Sequence, residues 1–151
     1  MTSGLIACVA ALAVASALAL AWRRANGRMR AATTPPDAMA PPASSAAAAG
    51  DITVDDLGQP LGSRATLLQF STAFCAPCRA TRRILAEVAQ MTDGVAHVEI
   101  DAESRLDLVR RLDVRRTPAV FVLDAAGVIV KRASGQPRKA DVIAALGAVV
   151  P

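Results

Sequence analysis

Cys75 and Cys78 are separated by Ala76 and Pro77, and a C-x-x-C spacing brings two sulfurs within reach of one disulfide. Such a pair cycles between dithiol and disulfide, or it supplies half of a zinc site. Zinc takes four ligands. Residues 51 to 151 contain no further cysteine and one histidine, His97, so no metal site is expected there. The two thiolates alone would offer only a weak copper or mercury site.

The motif falls where an apolar run, Thr66 to Ser71, hands over to a helical pattern. A thiolate at a helix start is stabilised by unpaired backbone N-H groups and by the positive end of the helix dipole. Cys75, nearer the start, is the expected exposed nucleophile, and Cys78, one turn in, the expected resolving thiol. Pro77 suits the first turn, where its missing donor has no partner to lose. A second marked position is Thr117-Pro118, at the entrance to a later strand. A proline there is either a plain strand entry or a cis bond.

The elements that must hold these residues follow from periodicity. Thr66 to Ser71 reads as a buried strand, and Arg79 to Met91 carries Ile84, Leu85, Val88 and Met91 at helical spacing. Val95 to Asp101 alternates with period two. A helix is expected from about Ser104 to Leu112, with strands at Ala119 to Leu123 and Val128 to Ala133 around a turn at Asp124 to Gly127. A last helix runs from about Lys139 to Val149. Strands separated by helices imply parallel pairing by crossovers and the terminal hairpin is antiparallel, so the fold class is α/β with a mixed central sheet covered by helices.

The first fifty residues are of another kind. Leu5 to Trp22 is an uncharged apolar run of eighteen residues, about 27 Å long as a helix, close to the roughly 30 Å of a hydrocarbon core. No charged side chain precedes it and Arg23, Arg24, Arg28 and Arg30 follow it. That order fits an uncleaved single-pass anchor better than a signal peptide. Trp22 would sit at the interface, and the arginines would keep the rest of the chain on the cytoplasmic side, the extracytoplasmic side being the alternative. Cys8 opens the apolar run instead of closing it, so it reads as a small apolar residue and not as a lipidation site. Residues 31 to 50 hold nine alanines and four prolines and read as a tether that lets the domain reach away from the bilayer. The organisation is therefore 1–30 anchor and basic flank, 31–50 linker, and 51–151 folded domain.

Composition agrees with that division. The chain has 151 residues, 53% hydrophobic but only 3% aromatic, with net charge +4. Residues 1 to 50 carry four arginines against Asp37, or +3, and the remainder carries thirteen basic against twelve acidic residues, or +1. The basicity is a property of the anchor flank, and no nucleic-acid partner is indicated.

Phe70 through Arg79 (FSTAFCAPCR), Val98-Glu99-Ile100-Asp101, Val114-Arg115-Arg116-Thr117-Pro118, Gly127 and Gly135, in this order, resemble the thioredoxin family over about residues 52 to 149. The resemblance implies a thioredoxin-like fold in which Cys75 attacks a substrate disulfide and Cys78 resolves the mixed disulfide. It also implies that Pro118 is cis, that Thr117 offers its backbone to a bound peptide, and that Phe74, Ala76 and Pro77 line the substrate surface. Partners would be disulfide-containing proteins and an upstream electron donor, with no cofactor, and the domain would act as a monomer.

The chain departs from the family pattern at three places. Phe74 replaces the usual tryptophan, Ala76-Pro77 replaces Gly-Pro, and the buried aspartate on the strand before the motif becomes Gln69, which hydrogen-bonds but takes up no proton. His97 aligns with a lysine near that aspartate, so it is either a proton relay with Gln69 or a plain strand histidine. Arg110, Arg111, Arg115 and Arg116 are either a solvated face or a preference for acidic partners. The expected activity is membrane-tethered thiol-disulfide exchange. The alternatives are an extracytoplasmic thioredoxin-like reductase for cytochrome maturation and a non-catalytic thiol or metal-binding module.

Overall fold

A computed structural model of the chain describes residues 2–25, 28–31 and 51–150. The elements are α1 (Thr2–Ala25), β1 (Arg30–Ala31), α2 (Val54–Leu57), β2 (Ala65–Ser71), α3 (Ala76–Gln90), β3 (Val95–Asp101), α4 (Leu106–Arg111), β4 (Ala119–Asp124), β5 (Ile129–Ser134) and α5 (Lys139–Gly147). They form one five-stranded sheet in the order β1-β5-β4-β2-β3.

All seven residues of β2 are buried, as its unbroken apolar run demands of a strand covered on both faces. Its alternate side chains feed two cores. Leu68 and Phe70 join Val98, Ile100, Phe121 and Leu123 against Leu108 of α4 and Ile52. Leu67 joins Val120 and Val122 against Leu85 and Val88 of α3 and Val142 and Leu146 of α5. Phe70 meets Phe121 edge to face, with ring centroids 5.8 Å apart, and the Arg132 guanidinium lies over the Phe121 ring at 5.3 Å.

One expected pairing is reversed. β2 and β3 are parallel, but β4, which follows α4, runs antiparallel to β2. The six residues of α4 span about 9 Å, whereas the seven of β3 span about 23 Å. So short a helix leaves the chain at the end of the sheet where β3 stopped, and β4 must start from there.

The turn glycines answer to close approach. Gly127 has φ 89°, its carbonyl accepts the Ile52 N-H at 3.0 Å, and a Cβ there would stand 2.1 Å from the Ile52 oxygen. Gly135, at φ 90°, donates its N-H to the Pro118 carbonyl at 2.8 Å.

The N-terminal elements add a feature absent from the sequence reading. Arg30 and Ala31 pair antiparallel with Arg132 and Lys131 on the outer edge of β5, so the chain taken as a tether from residue 31 begins inside the sheet. The rest of that stretch, 32–50, lies outside the described residues. In α1 the described side chains are those of residues 10–21, all exposed, and Trp22 and Cys8 fall outside them. Among the described residues no helix is long and apolar enough to cross a membrane.

Candidate active site

The first turn of α3 builds the site. Cys75 is its N-cap, with extended backbone, and Ala76, Pro77 and Cys78 open the helix. The Cys78 N-H donates to Cys75 Sγ at 3.2 Å, a donor that would favour an anionic sulfur at Cys75 once the pair is reduced. The two cysteines form a disulfide with Cα atoms 5.2 Å apart. Cys78 is 2% exposed while Cys75 is half-buried, so an attacking sulfur reaches Cys75 first.

Phe74 is 100% exposed and its φ is 58°, a conformation that costs a side chain with a Cβ about 1–3 kcal/mol. The reversal of the backbone there swings its ring out beside Cys75. The Thr117-Pro118 peptide, just before β4, is cis. The hydroxyls of Thr72 and Thr117 lie 3.0 Å apart, which joins the end of β2 to the proline loop. Cys75, Cys78, Phe74, Ala76, Pro77, Thr117 and Pro118 thus sit on elements that meet at one end of the sheet.

Gln69 lies behind them on β2. Its Nε2 donates to the Cys78 carbonyl at 3.0 Å, to Ser71 Oγ at 2.7 Å and, more weakly, to Glu99 Oε1 at 3.4 Å. The Ser71 hydroxyl donates to the same Glu99 oxygen at 2.6 Å, and Arg82 closes the chain with Nη2 at 2.9 Å and Nε on Glu99 Oε2 at 2.5 Å. Burial pushes the Glu99 carboxyl up, but the hydrogen bonds from Arg82 and Ser71 and the charges of Arg82 and His97 outweigh it and hold it below its ordinary value. A cavity of about 410 Å³ opens this network to solvent between Thr72, Arg82, Glu99 and Asp101.

His97 stands apart from that chain of bonds. Its partner across the ladder is Leu67, two residues from Gln69, and its Nε2 is buried with no hydrogen-bond partner. Burial lowers its pKa, against the upward pull of Glu99. Of the four arginines near the proline loop, Arg111 is held by Asp56 at 2.6 Å and Arg115 by Asp113 at 3.0 Å, while Arg116 donates to Ser134 Oγ at 2.9 Å.

Sequence reasoning missed Glu99, Ser71 and Arg82. Period-two alternation puts His97 and Glu99 on one face of β3, but only the register Gln69↔Glu99 shows which of them meets the glutamine. Among the described residues no group of three or more metal-ligating side chains occurs.

Comparisons with known proteins agree with this geometry. The chain is similar to thioredoxin H4-1 of Oryza sativa subsp. japonica, 33% identical over 57 residues, which is 38% of this chain and 44% of that protein. Thioredoxin H5 of the same plant is 30% identical over 60 residues, 40% of this chain and 44% of that protein. The chain thus matches less than half the length of these curated relatives. Among solved structures, a mutant thioredoxin from Halobacterium salinarum NRC-1 aligns with TM-score 0.54 and 19% identity, over 59% of this chain and 77% of that one. Chloroplastic thioredoxin z aligns with TM-score 0.52 and 26% identity, over 58% and 79%. The family model described as thioredoxin matches residues 54–148, more than half of the chain, and the chain therefore belongs to the thioredoxin family.

Proposed function

We propose that this protein is a membrane-tethered thiol-disulfide oxidoreductase that reduces or exchanges disulfides in protein substrates, with its domain on the cytoplasmic side. The observation that carries the chemistry is the Cys75–Cys78 disulfide at the start of α3, at the end of the sheet where Thr72 bonds Thr117 beside the cis Thr117-Pro118 peptide. In the reduced enzyme the Cys75 thiolate attacks a substrate disulfide, forming a mixed disulfide and releasing one substrate sulfur, which takes a proton from solvent. Cys78 then gives up its proton and attacks Cys75 Sγ, closing the internal disulfide and releasing the second substrate sulfur. The substrate gains two electrons and two protons, which an upstream electron donor must restore to the enzyme. Phe74, Ala76, Pro77, Thr117 and Pro118 form the surface on which the substrate lies.

Tethering is supported by the eighteen uncharged residues from Leu5 to Trp22 and the four arginines after them. Insulin reduction by the full chain tests the chemistry: turnover that disappears in Cys75→Ser is expected. An inactive wild type that binds copper stoichiometrically would favour the binding-module reading. Alkaline carbonate extraction of cell membranes tests the anchor, and labelling of a surface cysteine by an impermeant reagent in intact cells tests the side, where no labelling is expected.

A further inference from the structure

We propose that Glu99 is a positioning residue of the dithiol centre: through Ser71 and Gln69 its carboxylate keeps the proton of the reduced enzyme on Cys78 and leaves the negative charge on Cys75. The inference rests on the oxidoreductase reading and gives that reading a means of telling its two sulfurs apart.

The bonds run without a gap from carboxylate to cysteine. Glu99 Oε1 accepts from Ser71 Oγ at 2.6 Å and from Gln69 Nε2 at 3.4 Å, and the same Nε2 donates to the Cys78 carbonyl at 3.0 Å. A fixed anion two hydrogen bonds from Cys78 disfavours a second anion there. Gln69 has no acidic proton to give or take, so it relays orientation and field and not a proton. Cys75 has the opposite surroundings, with the Cys78 N-H on its sulfur at 3.2 Å.

The position of Arg82 decides the sign of the field. The arginine side chain is 56% exposed and that of Glu99 22%, so solvent screens the cation more than the anion, and it is the anion that the Gln69 bonds link to Cys78. The other charged groups on the surrounding elements are Arg79 and Arg83 on α3, His97 and Asp101 on β3, and Asp113, Arg115 and Arg116 before Pro118; β2 has none. Asp113 and Arg115 pair with each other, and α5 meets α3 through Lys139 at Glu87, nine residues beyond Cys78. Glu99 is the carboxylate that the hydrogen bonds connect to Cys78.

The test is a carbon-13 titration of Cys75 and Cys78 by NMR in the reduced full chain in detergent, carrying Cys8→Ala to remove the third thiol. Glu99→Gln should lower the Cys78 midpoint by about one pH unit, and Arg82→Gln should raise it, since the two substitutions remove opposite charges. Glu99→Asp, which keeps the charge, should return the midpoint towards wild type. A merely structural ion pair would shift both variants in the same direction, and that result, or an unmoved Cys78 in Glu99→Gln, overturns the proposal. If Glu99→Gln does not fold, Arg82→Gln alone decides by the presence or absence of an upward shift. Insulin reduction by the same wild-type preparation is read separately: no turnover defeats the oxidoreductase reading, whereas an unmoved titration with full turnover defeats only the role of Glu99.

Discussion

The hydroxyls of Thr72 and Thr117, 45 positions apart in the chain, meet at 3.0 Å and hold the cis-proline loop against the end of β2. Replacing Thr72 by Val removes that bond while keeping the shape. Stability is expected to fall by about 1 kcal/mol, and KM for a protein disulfide to rise more than kcat falls, because the loop that faces the substrate loosens while Cys75 and Cys78 stay in place. Urea unfolding and steady-state insulin reduction measure the two effects.

Phe74 should separate binding from folding. Glycine accepts φ near 58° without strain, and this gain offsets the greater freedom of glycine in the unfolded chain. Phe74→Gly is therefore expected to change the unfolding free energy by less than about 1 kcal/mol while raising KM for protein substrates several-fold. A small disulfide such as oxidised glutathione, which needs less of the apolar surface, should lose less.

Acid should weaken the link between α2 and α4. Thr53 and Asp56 form a reciprocal cap on α2, and Arg111 pairs with the same carboxylate at 2.6 Å. Burial works upward on Asp56, but the Arg111 and Thr53 contacts prevail and its pKa is lowered. A depressed folded-state value means stability present above the unfolded pKa of about 3.9 and lost as pH falls through the folded value. Asp56→Asn should cost about 1–2 kcal/mol at pH 7 and almost nothing near pH 2, as read from denaturant melts at the two pH values.

His97 titrates in the same direction but in a higher pH window. Burial lowers its pKa in the folded chain, so its neutral form is the folded one and stability is lost as pH falls below the unfolded value of about 6.5. In His97→Asn the slope of stability against pH between about 7 and 5 should flatten. The pH profile of insulin reduction should stay as in wild type, since no hydrogen bond leads from Nε2 to the cysteines; a displaced profile would restore His97 as a proton relay.

Arg132 joins core and loop. Its guanidinium covers Phe121 and donates to the Leu112 and Asp113 carbonyls, both at 3.3 Å. Asp113 has φ 49°, so those contacts support a left-handed turn just before the cis-proline. Arg132→Ala is expected to cost about 1–2 kcal/mol, with Lys recovering the cation over the ring but not both carbonyl contacts.

The parts of the site legible in the sequence are those written in short stretches of chain. The handover from Ser71 to the α3 first turn shows in Cys75, Pro77 and Cys78, and the turn between β4 and β5 shows in Asp124 to Gly127, because each imposes a local backbone demand; Thr117-Pro118 shows as a strand entry, and its cis form is implied only by the family resemblance. What did not show depends on which strands lie side by side. The reversal of β4 follows from how little sheet α4 can span, β1 depends on the free edge of β5, and the meeting of Gln69 with Glu99 depends on the register of β2 against β3. Periodicity assigns a residue to a face and is silent on its neighbour across the ladder.

The pairing of Arg30 and Ala31 with β5 changes the mechanical meaning of the Ala- and Pro-rich stretch. Ala31, the first residue of that stretch, is held in the sheet by β5, and the described chain resumes at Asp51. Only residues 26–29 stand between the last residue of α1 and the first of β1, a span of at most about 18 Å, whereas nineteen free residues would bridge up to about 70 Å. With α1 in a bilayer, the domain would stay close to the lipid surface and its reach would be set by the β1–β5 pairing. Substrates would then be selected by the depth at which their disulfides lie, ahead of any selection by sequence.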